Sequence, residues 1–111
     1  MGDRRILLAD HEPPERPPLQ VGVGDRVDAG ARDDEWPAFV FVTAAGGTGW
    51  VPARYIEDGV VVTAYDTTEL RALAGDIVEV IVDDPESEWA WCRDARGAEG
   101  WIPHRALGVA G

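Results

Sequence analysis

The sequence has no lysine and no asparagine, and all ten of its basic residues are arginine. That bias reflects a GC-rich genome rather than a function. It has one cysteine, Cys92. A lone thiol excludes an intrachain disulfide and a cysteine zinc cluster. Alternation along 89–93 places Cys92 on the inward side of a strand, opposite Trp89 and Trp91. Histidine is almost as scarce, with only His11 and His104. A Cys–His couple needs both groups within hydrogen-bond reach, and neither histidine neighbours Cys92 in sequence or register. A non-catalytic protein is therefore expected. Long apolar runs are also missing. Arg4 and Arg5 precede only Ile6–Ala9, too short for a signal-peptide core or a membrane span. The expected compartment is the cytoplasm, with no membrane partner.

Acid is what the chain has in excess. Twenty-one Asp and Glu give a net charge of −11. Residues 1–57 carry ten acids against six Arg, or −4, and residues 58–111 carry eleven against four, or −7. Besides keeping the chain soluble, a field of that sign repels nucleic acid and favours basic partners. The carboxylates lie in loop clusters, not as a pair tuned in opposite directions for acid–base work. The run Asp83-Asp84-Pro85-Glu86-Ser87-Glu88 lacks the glycine and the alternating ligands of a calcium loop. It reads as a solvated loop, and no metal or cofactor is expected.

One pattern occurs twice. Gly24-Asp25, Trp36, Gly49-Trp50-Val51-Pro52 and Tyr55-Ile56 are followed by Gly75-Asp76, Trp89, Gly100-Trp101-Ile102-Pro103 and Ala106-Leu107. Gly-Asp and Gly-Trp each move by 51 residues, whereas Trp36 to Trp89 is 53. Loops of different length between elements in phase mark a repeated fold unit. Short Val-, Ile- and aromatic-rich strands between Gly, Pro and Asp clusters predict an all-β chain of small barrels, with short 3₁₀ turns and no long helix. The expected strands include 6–9, 26–29, 36–43, 49–52 and 89–93. Gly46 and Gly47 supply a hairpin turn, and Glu57-Asp58-Gly59 is the expected linker, too short to act as a free tether.

Ordered in this way, the residues resemble the Src homology 3 (SH3) domain, in tandem and of the variant bacterial type. Thr63-Ala64-Tyr65-Asp66-Thr67, Glu69-Leu70, Gly75-Asp76, Trp89 and Gly100-Trp101-Ile102-Pro103 stand where that family has its motifs. So do Leu7-Leu8-Ala9-Asp10-His11, Leu19, Gly24-Asp25, Trp36 and Gly49-Trp50-Val51-Pro52 in the first copy. The resemblance implies two tandem SH3-like barrels, 1–57 and 58–111, with Phe39 and Phe41 facing the first core. It also implies an aromatic groove that takes a pre-extended polyproline II peptide. The favoured groove is in the second copy: Tyr65, Glu69, Trp89, Trp101 and Pro103, with Asp83, Asp84, Glu86 and Glu88 alongside. The first copy offers Trp36, Trp50, Pro52 and Tyr55.

The expected function is a peptide- or protein-binding adaptor for a basic, proline-containing partner segment. The alternative is a structural or assembly subunit docked on a larger enzyme complex through its aromatic faces. A cell-wall-binding module is a third reading, which the acidic charge opposes. The run His11–Leu19 has PxxP spacing at Pro14 and Pro17, with Arg16 between them. It reads either as a stiffened loop or as a built-in ligand through which the chain self-associates.

Overall fold

Asp58 and Gly59 both adopt left-handed backbone angles, φ 51° and 75°. Two such residues in succession make the tight turn whose twist matches that of paired strands. It folds Val60-Val61 back onto Ile56-Glu57, with Glu57 opposite Val60. The stretch expected to link two barrels is therefore a hairpin turn, and the chain divides elsewhere.

The computed structural model describes residues 3–110. Its strands are β1 (Asp3–Leu7), β2 (Gln20–Val21), β3 (Asp28–Arg32), β4 (Phe39–Ala44), β5 (Gly47–Pro52) and β6 (Ile56–Glu57). They continue as β7 (Val60–Val61), β8 (Tyr65–Asp66), β9 (Ile77–Asp84), β10 (Trp89–Arg93), β11 (Glu99–Pro103) and β12 (Leu107–Val109). Single 3₁₀ turns cover Ala53–Tyr55 and His104–Ala106. The chain is all-β, without an α-helix among the described residues. No described sheet closes on itself.

Two compact units result. One is contiguous, Arg16–Thr67; the other is split, Met1–Glu15 with Thr68–Gly111. The expected division at 57/58 is not where they part. The reason lies in strand pairing. β1 lies between β9 and β12, with Arg5 opposite Val78 on one side and Val109 on the other. It completes a sheet ordered β11-β10-β9-β1-β12. β7 and β8 pair with β6 and β2 inside the contiguous unit.

The repeated Gly-Asp motif has the same job in both units. Gly24 and Gly75 take φ 93° and 92°, angles that L side chains avoid. The aspartate then locks the turn. Asp25 Oδ2 accepts from Gly22 N–H at 2.8 Å, and Asp76 Oδ2 accepts from Leu73 N–H at 2.9 Å.

The split unit's core is Leu7, Leu70, Ala72, Val78, Ala90, Cys92, Ile102 and Ala106. In the contiguous unit Leu19, Val21, Val27, Phe39, Val40, Val42, Val51, Val61 and Tyr65 are buried. The β4 register differs from expectation. Val42 is buried completely, while Phe41 is only half-buried and sets its ring edge-on to Trp50 at 5.1 Å. Trp36 and Pro37 precede the strand rather than open it. Asp33 Oδ2 accepts from the Trp36 N–H at 2.7 Å, and the Trp36 carbonyl accepts from Phe39 N–H at 2.9 Å.

Candidate functional site

The nine residues singled out from the sequence fall into two groups. Glu69, Trp89, Trp101 and Pro103 belong to the split unit. Trp36, Trp50, Pro52, Tyr55 and also Tyr65 belong to the contiguous one. Tyr65 falls in a different unit from the other four residues of its expected groove. β8 pairs it with Val21, and its ring meets Tyr55 edge-on at 5.7 Å.

In the split unit, β10 and β11 set Trp89 opposite Pro103 and Trp91 opposite Trp101. The rings of Trp91 and Trp101 meet nearly at right angles, 80°, with centroids 5.4 Å apart, a favourable edge-to-face geometry. Trp91 Nε1–H donates to Glu99 Oε1 at 2.7 Å, and Arg93 Nε–H donates to the other carboxylate oxygen at 2.8 Å. The Trp91 bond, followed by Arg93, holds the Glu99 carboxyl below its usual pKa. Glu69 is bridged to Trp101 along the far edge of β11.

His11 takes a place in this unit that no sequence pattern assigned to it. Its Nε2–H donates to Glu69 Oε1 at 2.8 Å. Its ring stands edge-on to Trp89 at 5.6 Å. Its backbone exchanges two hydrogen bonds with Ala72, an isolated antiparallel bridge that sets where the residue sits. Next to it, Glu12 pairs with Arg71. The only available signal was the aspartate shared by Ala9-Asp10-His11 and Tyr65-Asp66-Thr67, which aligns His11 with Thr67 but does not say which copy each segment joins.

Not every expected groove residue reaches a surface. Pro52 and Pro103 are both buried, as is Tyr65. Trp36, Trp50, Tyr55, Glu69, Trp89 and Trp101 are half-exposed. Trp36 is not the structural counterpart of Trp89. Phe39 is the residue opposite Pro52, as Trp89 is opposite Pro103.

In the contiguous unit Arg54 lies over the Tyr55 ring at 4.6 Å and donates to its hydroxyl at 3.1 Å. Arg16 lies 5.7 Å over Phe41, the ring that Trp50 touches. Pro14, Glu15, Pro17 and Pro18 around Arg16 are exposed.

The acidic loop is only partly solvated. Asp83 accepts from His104 Nε2–H at 2.6 Å, and His104 N–H donates to the Glu88 carbonyl at 2.9 Å. Glu88 takes φ 67° where the chain turns into β10. Among the described residues, no group of three or more His, Cys, Asp or Glu could hold a metal ion. Cys92 is fully buried, and burial pushes its thiol up to about 12.

A family model, Variant SH3 domain, matches residues 61–109. The matched segment crosses the boundary between units: 61–67 lies in the contiguous unit and 68–109 in the split one. No curated protein matches the chain. An SH3-like domain points to a protein-binding module.

Proposed function

We propose that the chain is a non-catalytic module that binds a basic, proline-containing peptide segment of another protein. The receiving surface is in the split unit, built by Trp89, Trp101 and Glu69 with His11. The observation that carries this reading is the half-exposed pair Trp89 and Trp101 beside a carboxylate, inside the stretch that matches the variant SH3 domain. Half-exposed aromatic rings give apolar surface to a polyproline II ridge, which loses little entropy on docking. Thirteen acids against six Arg give this unit −7, so a cationic segment is attracted from a distance. The aromatics set most of the affinity, while the acids set ligand sign and on-rate.

The test is an NMR titration of the indole N–H signals with a basic, proline-containing peptide and with an acidic control of the same length. Shifts are expected at Trp89 and Trp101 with the basic peptide only. Trp89→Ala should weaken binding about tenfold or more, as loss of a central aromatic anchor does. Glu69→Gln should weaken it modestly and flatten its salt dependence. Shifts confined to Tyr55 and Trp36 would move the site to the contiguous unit, where the Tyr55–Tyr65 pair is the second candidate. No response to either peptide would remove the peptide-binding reading. A stoichiometric, salt-resistant complex with a larger enzyme would instead mark an assembly subunit.

A further inference from the structure

The hydrogen bonds that hold Leu7 in the split unit recur around Val61 in the contiguous one. Gly75 N–H donates to the Leu7 carbonyl, and Gly24 N–H to the Val61 carbonyl, both at 2.8 Å. Leu7 N–H donates to the Asp76 carbonyl at 2.8 Å, and Val61 N–H to the Asp25 carbonyl at 2.9 Å. Leu8 N–H and Val62 N–H donate to the Ala106 and Tyr55 carbonyls, each at 2.8 Å. Each unit therefore contains a slot between its Gly-Asp turn and its 3₁₀ turn. The slot takes one apolar residue of an extended strand, and Leu7 and Val61 are only 2 % and 1 % exposed in theirs.

The slots are filled by different routes. Val61 comes from the same continuous stretch as the rest of its unit. Leu7 is separated from Thr68 onward by the whole of the other unit. We propose that the split unit's slot is an exchange site for a second copy of this chain. The segment from β1 through Glu12 of one chain seats in the split unit of the other, and the reverse, giving a strand-exchanged dimer.

The occupant is specified by side chains as well as backbone. Leu8 lies over Gly108 so closely that a Cβ there would come within 2.6 Å of it. Arg4 is opposite Glu79 in the β1–β9 ladder. His11 reaches Glu69, and Glu12 reaches Arg71. A second copy supplies all of these; an unrelated strand supplies only the backbone bonds.

The hinge suits the exchange. Pro13, Pro14, Pro17 and Pro18 lie immediately after the donated segment, and the last three are exposed. Prolines deny ladder donors and keep a chain extended at about 3.1 Å per residue, so the hinge spans rather than doubles back. The contiguous unit keeps all of β2–β8 when β1 leaves, so donation does not require that unit to unfold. Exchange of an identical element makes no new kind of contact, which makes it a low-cost route to a dimer. The opposing term is charge, because two chains of −11 repel. Salt screens that repulsion and should favour the dimer. In the exchanged form each binding surface contains the partner's His11.

The test uses the full chain carrying Arg5→Cys and Val109→Cys. These positions face each other across β1 and β12. They lie two residues along from Leu7 and Leu107, whose pair is of the closely spaced, non-hydrogen-bonded kind. The native thiol of Cys92 is buried and does not compete. Samples at rising protein and salt concentration are oxidised, quenched and run unreduced under denaturing conditions. An intrachain bond is expected in dilute samples, with covalent dimers joined through the two introduced positions as concentration and salt rise. Sedimentation of the unmodified chain should show the same trend. Replacing the four hinge prolines by glycine should lower the dimer fraction several-fold. If the double variant misfolds by circular dichroism, a mixed-isotope sample of the unmodified chain should give interchain contacts between Leu7 and Leu107. A chain that stays monomeric at the highest concentration, or a dimer whose Leu7–Leu107 contacts are all within one chain, overturns the proposal.

Discussion

Gly100 and Gly49 show what the repeated Gly-Trp motif is for. A Cβ on Gly100 would sit 2.5 Å from the Leu70 nitrogen and 2.7 Å from the Glu69 carbonyl carbon. Both are backbone atoms and cannot swing aside. At Gly49 the nearest atoms are side-chain carbons of Thr67 and Leu19, at 3.2 and 3.3 Å. Gly100→Ala should therefore cost about 1–3 kcal/mol, the range for forced overpacking, and Gly49→Ala clearly less. Thermal melts of the two variants check the order, and equal losses would contradict it. The same scale governs Cys92. Its buried thiol, raised to about 12, stays protonated in neutral solution, and the thiolate is the reactive form. Native protein should react slowly with a thiol reagent at neutral pH and rapidly in denaturant. Immediate labelling of native protein would mean that β10 presents its other face. The inward position of Cys92 was legible from alternation alone. The place of His11 was not, because it depends on Glu69, 58 residues away in sequence.

Strands show where local reading succeeds and where it slips. The hairpin between β4 and β5 was legible from Gly46 and Gly47, although the turn itself is Ala45-Gly46 and Gly47 opens β5. β4 begins three residues after Trp36, the aromatic from which the sequence predicts it to start. Pro37 removes a ladder donor there, and the Asp33 carboxylate takes the Trp36 N–H, so pairing begins at Phe39. The β10–β11 hairpin has a pH dependence of defined sign. The bond from Trp91, then that from Arg93, depresses the Glu99 carboxyl. Burial acts the other way at Asp94, but bonds from Arg96 and the Ala98 N–H outweigh it. A depressed carboxyl stabilises the fold above its unfolded pKa, and that contribution is lost as pH falls through the folded value. From the ordinary 4.5 of a glutamate downward, the melting temperature should fall. Glu99→Gln should melt lower than wild type at pH 7 and lose less on acidification. Parallel pH profiles for the two proteins would show that Glu99 contributes nothing to the hairpin.

At the scale of the molecule the pairing of β1 has a direct consequence. Leu7 is in the core with Val78, Ala90, Cys92 and Ile102. Leu7→Ala should destabilise the split unit by about 2–5 kcal/mol, the usual range for a buried leucine. It should disturb the indole signals of Trp89, Trp91 and Trp101 more than those of Trp36 and Trp50. Val61→Ala should do the reverse. The opposite assignment of signals would restore a division at 57/58. By itself the sequence determined the all-β class, the repeated Gly-Asp and Gly-Trp motifs, the alternation that buries Cys92 and the acidic field. Each of these depends on residue chemistry or on spacing within a few neighbours. Tertiary structure alone decided which copy of the first strand completes which unit, and therefore that Tyr65 joins Tyr55 while His11 joins Glu69 and Trp89. The two slots present the same backbone hydrogen bonds to Leu7 and to Val61. Local sequence does not choose between them; the choice follows from the Asp58-Gly59 turn, which returns Val61 to the unit it has just left.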